Sequence, residues 1–143
     1  MSIVALSELL GATVRDDSGA ARGRVREIAV NPQDHPTRVA FVIVRTPGGE
    51  RVLRPEAIRS CGATVRATSD AAGWEPYNVS DGVLLLKRDL LDQQIIDVHG
   101  RKVVRVNDVE IDANPVNSHV ALDVLAVDVG ARGAIRRLGQ GVV

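Results

Sequence analysis

Two stretches of this chain, LLGATVRDDSG at Leu9–Gly19 and LLDQQIIDVHG at Leu90–Gly100, run through the same order of residues. Laid over itself at a displacement of 81, the sequence matches Leu9 with Leu90, Leu10 with Leu91, Asp16 with Asp97 and Gly19 with Gly100. The same register pairs Arg24 with Arg105, Val25 with Val106, Val39 with Val120, Ala40 with Ala121, Gly49 with Gly130 and Arg51 with Arg132. Conservative pairs fill the intervals, among them Val14/Ile95, Glu27/Asp108, Ile28/Val109, Val30/Ile111 and Phe41/Leu122. An ungapped register this long predicts a repeated structural unit. Two copies are too few for a solenoid, so the expectation is a pair of like modules.

Each unit reads as short strands punctuated by turns. In the first, ATVRDD leads to Asp17-Ser18-Gly19, where glycine takes a positive φ without steric cost. GRVREIAVN follows with an imperfect alternation that predicts a bulge or a strong twist. A loop holds Pro32, His35 and Pro36, and RVAFVIVRT is a nearly unbroken apolar run, as in a strand covered on both faces. Pro47-Gly48-Gly49 predicts a hairpin into ERVLRP, and ATVRAT offers a further strand. The second unit repeats this as QQIIDV, a turn at His99-Gly100, KVVRVNDVEID, a loop around Asn114-Pro115, and HVALDVLAVDV. After Gly130 it diverges into ARGAIRRLGQGVV, for which the expectation is a short helical turn. Each Leu-Leu pair follows a polar, acidic segment (LSELLG, LKRDLLD), which predicts one helical turn beside the strands.

Hydrophobic residues make up 45% of the 143 positions, enough for a core, yet aromatics are only 2%: Phe41, Trp74 and Tyr77. The core is therefore aliphatic and rich in valine, which suits pleated strands. The 18 basic and 18 acidic residues cancel, so net charge supplies no drive toward nucleic acid or anionic membrane. MSIVALSELLG has neither the basic start nor the apolar length of a secretory signal, no apolar run is long enough to span a bilayer, and Cys61 is the single cysteine. These features predict a cytoplasmic protein.

Leu-Gly-x-x-Val, an Asp-rich turn ending in Gly, Gly-x-Val-x-x-Ile, a loop and an apolar strand resemble the PRC-barrel family, here in LLGATVRDDSGAARGRVREIAV. The second copy, LLKRDLLDQQIIDVHGRKVVRVNDVEI with LDVLAVDVGARGAIRRLG, is similar to the PRC-like segment of bacterial proteins that carry an MgtE-type intracellular domain. The resemblance implies an all-β fold of two tandem small PRC-like β-barrels related by internal duplication, with short helical turns. The expected layout is a first barrel over 1–67, a linker over 68–82, and a second barrel over 83–143 that ends in an Arg/Gly-rich tail. In the larger proteins RRLG leads into the MgtE-type domain, whereas here it is followed by QGVV. Magnesium transport itself is therefore not expected of this chain.

The candidate chemistry is sparse. His35, His99 and His119 sit in or beside loops without metal-ligand spacing, and Cys61 has no histidine near it in sequence. No set of nucleophile, base and oxyanion donor is visible, so no enzyme and no cofactor is expected. The repeated carboxylates Asp16/Asp97 and Glu27/Asp108 are the candidate ligands for a hard cation, set, for Asp16 and Asp97, against the plainer role of capping tight turns through side-chain to backbone hydrogen bonds. Trp74 and Tyr77 are candidate partner contacts, because aromatic rings supply much apolar area where they bind, set against the equal alternative that they cover one barrel end within the same chain. Arg132, Arg136 and Arg137 form a basic cluster suited to an acidic partner; with few aromatics for base stacking, nucleic acid is not expected. The expected function is a non-enzymatic protein–protein interaction or assembly module, binding a protein partner or itself as a homodimer. The alternative is a regulatory domain linked to divalent-cation transport.

Overall fold

The first half of the chain is woven from β1 (Ile3–Ala5), the single-turn helix α1 (Leu6–Leu9), β2 (Thr13–Arg15), β3 (Ala21–Val30), β4 (Val39–Thr46) and β5 (Gly49–Leu53). After a 3₁₀ turn at Pro55–Ala57 come β6 (Ile58–Ser60) and β7 (Thr64–Ala67), then a second 3₁₀ turn at Ala71–Gly73 and β8 (Glu75–Pro76). The second half comprises β9 (Leu84–Leu85), α2 (Leu86–Asp89), β10 (Gln94–Asp97), β11 (Lys102–Arg105), β12 (Asp108–Val116), β13 (His119–Asp128) and β14 (Ile135–Arg137). The computed structural model describes residues 2–79, 82–97, 100–130 and 135–137. The protein is all-β with short helical turns. No helix among the described residues is long and apolar enough to cross a membrane.

The sheets are not closed into barrels. The larger one runs β6-β7-β2-β3-β4-β5-β8 with β9 added to β3, the smaller one runs β1-β12-β13-β14, and β10-β11 forms a separate ribbon. Two sets of four strands nevertheless match: β9-β3-β4-β5 and β1-β12-β13-β14. The leading strand of each half has crossed to the other half. β1 pairs with β12 through Val4↔Ile111 and Ala5↔Glu110, while β9 pairs with β3 through Leu84↔Val30 and Leu85↔Ala29.

Residues of β3 and β12 correspond at the displacement of 81, whereas those of β1 and β9 correspond at 80. The extra residue is absorbed at the end of α2. The Leu10 N–H donates to the Leu6 carbonyl in α1, but in α2 both the Leu90 and Leu91 N–H groups donate to Leu86. Beyond this point the halves agree again. Gly11 and Val25 donate to the Val25 and Ala12 carbonyls at 2.8 and 3.0 Å, and Asp92 and Val106 donate to those of Val106 and Gln93 at 2.8 and 2.9 Å. The turn places Gly11 at φ +83° and Asp92 at φ +62°.

The apolar faces meet in one continuous core. Leu6, Leu9, Val14, Ile28, Val42 and Leu53 of the first half share it with Leu86, Val109, Ile111, Leu122 and Val127 of the second. β13 packs on the 3₁₀ turn at Pro55–Ala57 and on β6. The alternation of β3 breaks where its register against β4 shifts, between Val25 and Glu27 and between Ala29 and Val30. These bulges turn Ala29 out of the main core into a smaller cluster with Ile43 and Leu85.

One local expectation is corrected. Ile135–Arg137, within the segment expected to be a helical turn, is a strand paired antiparallel with β13, because the open edge of β13 accepts it. The segment 68–82, expected as a linker, is fastened to the first half where it is described. Thr68 donates to Ala57, Asp17 to Ser69 and Tyr77 to Glu50, and β8 adds to β5.

Candidate functional site

The repeated acids Glu27 and Asp108 solve one structural problem twice. The residues preceding α1 and α2 are Ala5 and Leu85, which carry no side-chain acceptor for the orphan N–H groups of a helical start. A carboxylate arrives instead from the strand that the crossed one joins, β12 for α1 and β3 for α2. Glu27 Oε1 accepts from the Lys87 N–H at 2.8 Å and the Ile28 N–H at 3.0 Å, and Oε2 accepts from the Arg88 N–H at 2.9 Å. Asp108 Oδ1 accepts from the Ser7 N–H at 3.0 Å and the Val109 N–H at 2.8 Å, and Oδ2 accepts from the Ser7 hydroxyl. Both acids thus hold the second helical residue of the opposite half. Glu27 is only 2% exposed.

Asp16 closes its own turn. Oδ1 accepts from the Ser18 N–H at 3.0 Å and the Ser18 hydroxyl at 2.5 Å. Oδ2 accepts from Arg22 Nε at 2.8 Å and the Ala71 N–H at 3.4 Å. The Ser18 hydroxyl foremost, with Arg22 and the backbone donors, outweighs burial and holds this carboxyl well below the ordinary range. Asp17 and Asp70 bring oxygens close to those of Asp16 and are both exposed. Among the described residues this trio is the carboxylate cluster compact enough to share a cation; of the repeated acids it includes Asp16 but neither Glu27 nor Asp108. The Asp97 side chain lies outside the described residues.

Trp74 is buried, with its Nε1 unpaired among the described residues, and belongs to the main core. Tyr77 is half-buried, its ring 6.1 Å from that of Phe41 and 6.0 Å from the Arg26 guanidinium, which also pairs with Glu50. Arg132 lies outside the described residues. Arg136 and Arg137 are described as β14 backbone, paired with Val127 and Ala126.

His35 Nδ1 accepts from the Thr37 and Arg38 N–H groups at 3.3 and 3.2 Å, fixing its loop, and His119 Nδ1 lies 3.2 Å from the Val120 carbonyl. His99 lies outside the described residues. Burial, with the Glu8 charge, pushes the Cys61 thiol up to about 12, away from nucleophilic use.

One surface was missed in the sequence. Ile96 and Val103 are cross-strand partners in the β10–β11 ribbon and stand 54% and 61% exposed. At the displacement of 81 their counterparts in the first half are Arg15 and Arg22, so outward charges are replaced by outward apolar groups. The signal was present in QQIIDV and KVVRV, where two consecutive apolar residues in a short strand must point to opposite faces. The inward pair, Ile95 and Val104, packs against the main core but is only partly buried. Val14, the counterpart of Ile95, is 0% exposed, because β7 lies parallel to β2 in the register Thr13↔Thr64, Val14↔Val65, Arg15↔Arg66. Among the described residues no strand lies beside β10 except β11.

No family model matches this chain, and no curated protein matches it either.

Proposed function

We propose that the protein is a PRC-type module built from two sister units and works by protein–protein assembly, taking a strand of a partner protein along the side of β10 that faces away from β11. The observation that carries this reading is the exposed Ile96–Val103 pair. A two-stranded ribbon apolar on both faces is poorly stable in water and gains by being covered.

The occupant follows the pattern of β7, the strand that lies beside β2 within the chain. It adds in parallel, supplies one apolar residue inward next to Ile95 as Val65 does next to Val14, and supplies a second outward beside Ile96. Strand addition of this kind draws affinity from backbone bonds and specificity from alternate side chains. The sister-unit reading is supported by the matching strand orders, by the crossed pairing of β1 and β9, and by the equivalent duties of Glu27 and Asp108.

The test is photo-crosslinking in the native host with a photoreactive residue at position 96 or, as a control, at position 15. A crosslinked partner polypeptide at 96 and none at 15 is the expected result. A crosslinked dimer of the chain itself would assign the face to a second copy, and light scattering with Ile96→Lys would then show the dimer dissociate. No product at 96, or equal products at both positions, overturns the reading.

A further inference from the structure

A cleft of about 660 Å³ opens where α2 meets β3 and β4, within the size range of small-molecule sites. Four cationic residues line it: Arg24 and Arg26 on β3, Arg45 on β4 and Lys87 on α2, with no carboxylate among the lining residues. The chain as a whole is neutral, so this is a local concentration of charge. Arg24 and Arg45 face each other directly as cross-strand partners, an arrangement that works against the sheet.

The neighbouring acids do not relieve the excess. Glu50, opposite Arg45 on β5, has its carboxylate on Arg26. Glu27 turns both its oxygens to backbone N–H groups. Arg24 donates to the Gly11 carbonyl at 2.9 Å, which fixes its guanidinium at the mouth without neutralising it. The side chains of Arg45 and Lys87 have no acceptor among the described residues. Lys87 reaches this place only because the crossed helix α2 is anchored by Glu27, so the cleft is assembled from both halves of the chain.

We infer that the cleft binds a small phosphate-bearing polyanion, with Arg24, Arg45 and Lys87 as its ligands. A guanidinium matches phosphate oxygens in a fork, and an ammonium adds a point charge, so three cations around one compact group favour an oligophosphate over a single carboxylate. The inference is independent of strand docking at β10.

The test is isothermal titration of the full chain with tripolyphosphate, ATP and citrate in magnesium-free, low-salt buffer. Tripolyphosphate binds saturably, more tightly than citrate, and each of Arg45→Gln and Lys87→Gln weakens it about tenfold. Lys102→Gln, a charge loss on the remote ribbon, leaves binding unchanged. Both substituted side chains at the cleft are exposed, and unchanged thermal melts verify that the variants fold. Tighter binding of ATP than of tripolyphosphate identifies a nucleotide as the source of the phosphate; equal or weaker binding identifies the free oligophosphate, and both support the site. No saturable heat, citrate binding as tight as tripolyphosphate, or an equal loss in Lys102→Gln overturns it.

Discussion

Removing the Glu27 carboxylate by Glu27→Ala tests how the two halves are held together. Three N–H groups lose their acceptor at once, those of Ile28, Lys87 and Arg88. Loss of a helix-capping side chain costs about 1–2 kcal/mol. The stranded Ile28 N–H, within buried β3, adds about 1 kcal/mol or more. The sum of about 3 kcal/mol is a large part of the roughly 5–15 kcal/mol that typically holds a domain together. At about 4 °C per kcal/mol for a chain of this length, the melting temperature falls by roughly 12 °C. Asp108→Ala removes the corresponding contact on α1, but at a more exposed site where water replaces the oxygen, so its cost is about 1 kcal/mol. Urea and thermal unfolding followed by far-ultraviolet circular dichroism measure both variants. Glu27→Gln falls between wild type and Glu27→Ala, because one amide oxygen replaces two carboxylate oxygens. The reasoning is refuted if Glu27→Ala unfolds within about 0.5 kcal/mol of wild type, the range of an ordinary surface substitution.

Three further outcomes are expected. Asp16 is held below its ordinary value of 3.8 in the folded state, so its stabilisation is present above that value and is lost as the pH falls through and below it; Asp16→Asn flattens this acid limb, measured by urea unfolding across the acid range. Asp92 adopts a left-handed backbone where the other half has Gly11, so Asp92→Gly relieves strain and raises stability by up to about 1 kcal/mol, read from the urea midpoint. Cys61, its thiol pushed up to about 12, resists iodoacetamide at neutral and mildly alkaline pH in the folded protein and reacts once urea unfolds the chain, as mass spectrometry will show.

Strands, hairpin and helical turns were legible because each rests on local rules. The apolar run of β4 lies between β3 and β5, the Pro47-Gly48 turn joins β4 to β5, and each Leu-Leu pair lies at the end of a single helical turn. Glu27 and Asp108 were legible as a repeated pair of acids, while backbone bonding was legible for Asp16, beside its Asp-Ser-Gly turn, and not for this pair. That the pair caps helices of the opposite half was not legible, because the helical partners of Glu27 are about sixty residues away. For Trp74 the sequence left a partner contact and a cover within the chain open, because its surroundings, AAGWEP, have loop composition; the addition of β8 to β5 fastens the segment to the first half and the ring joins the core. The cationic cleft was invisible, since Lys87 joins Arg24 and Arg45 only through the crossing of α2.

By itself the sequence determined the aliphatic all-β character, the length of the repeat and the positions of its turns, because periodicity and turn chemistry act over a few residues. Tertiary structure alone decided which strand lies beside which. β3 and β12 carry closely similar patterns, so either would accept β1 or β9, and no local preference separates crossed from uncrossed pairing. The crossed arrangement is fixed by contacts far apart in the chain: the shared core, and the two carboxylates that each reach a helix of the opposite half.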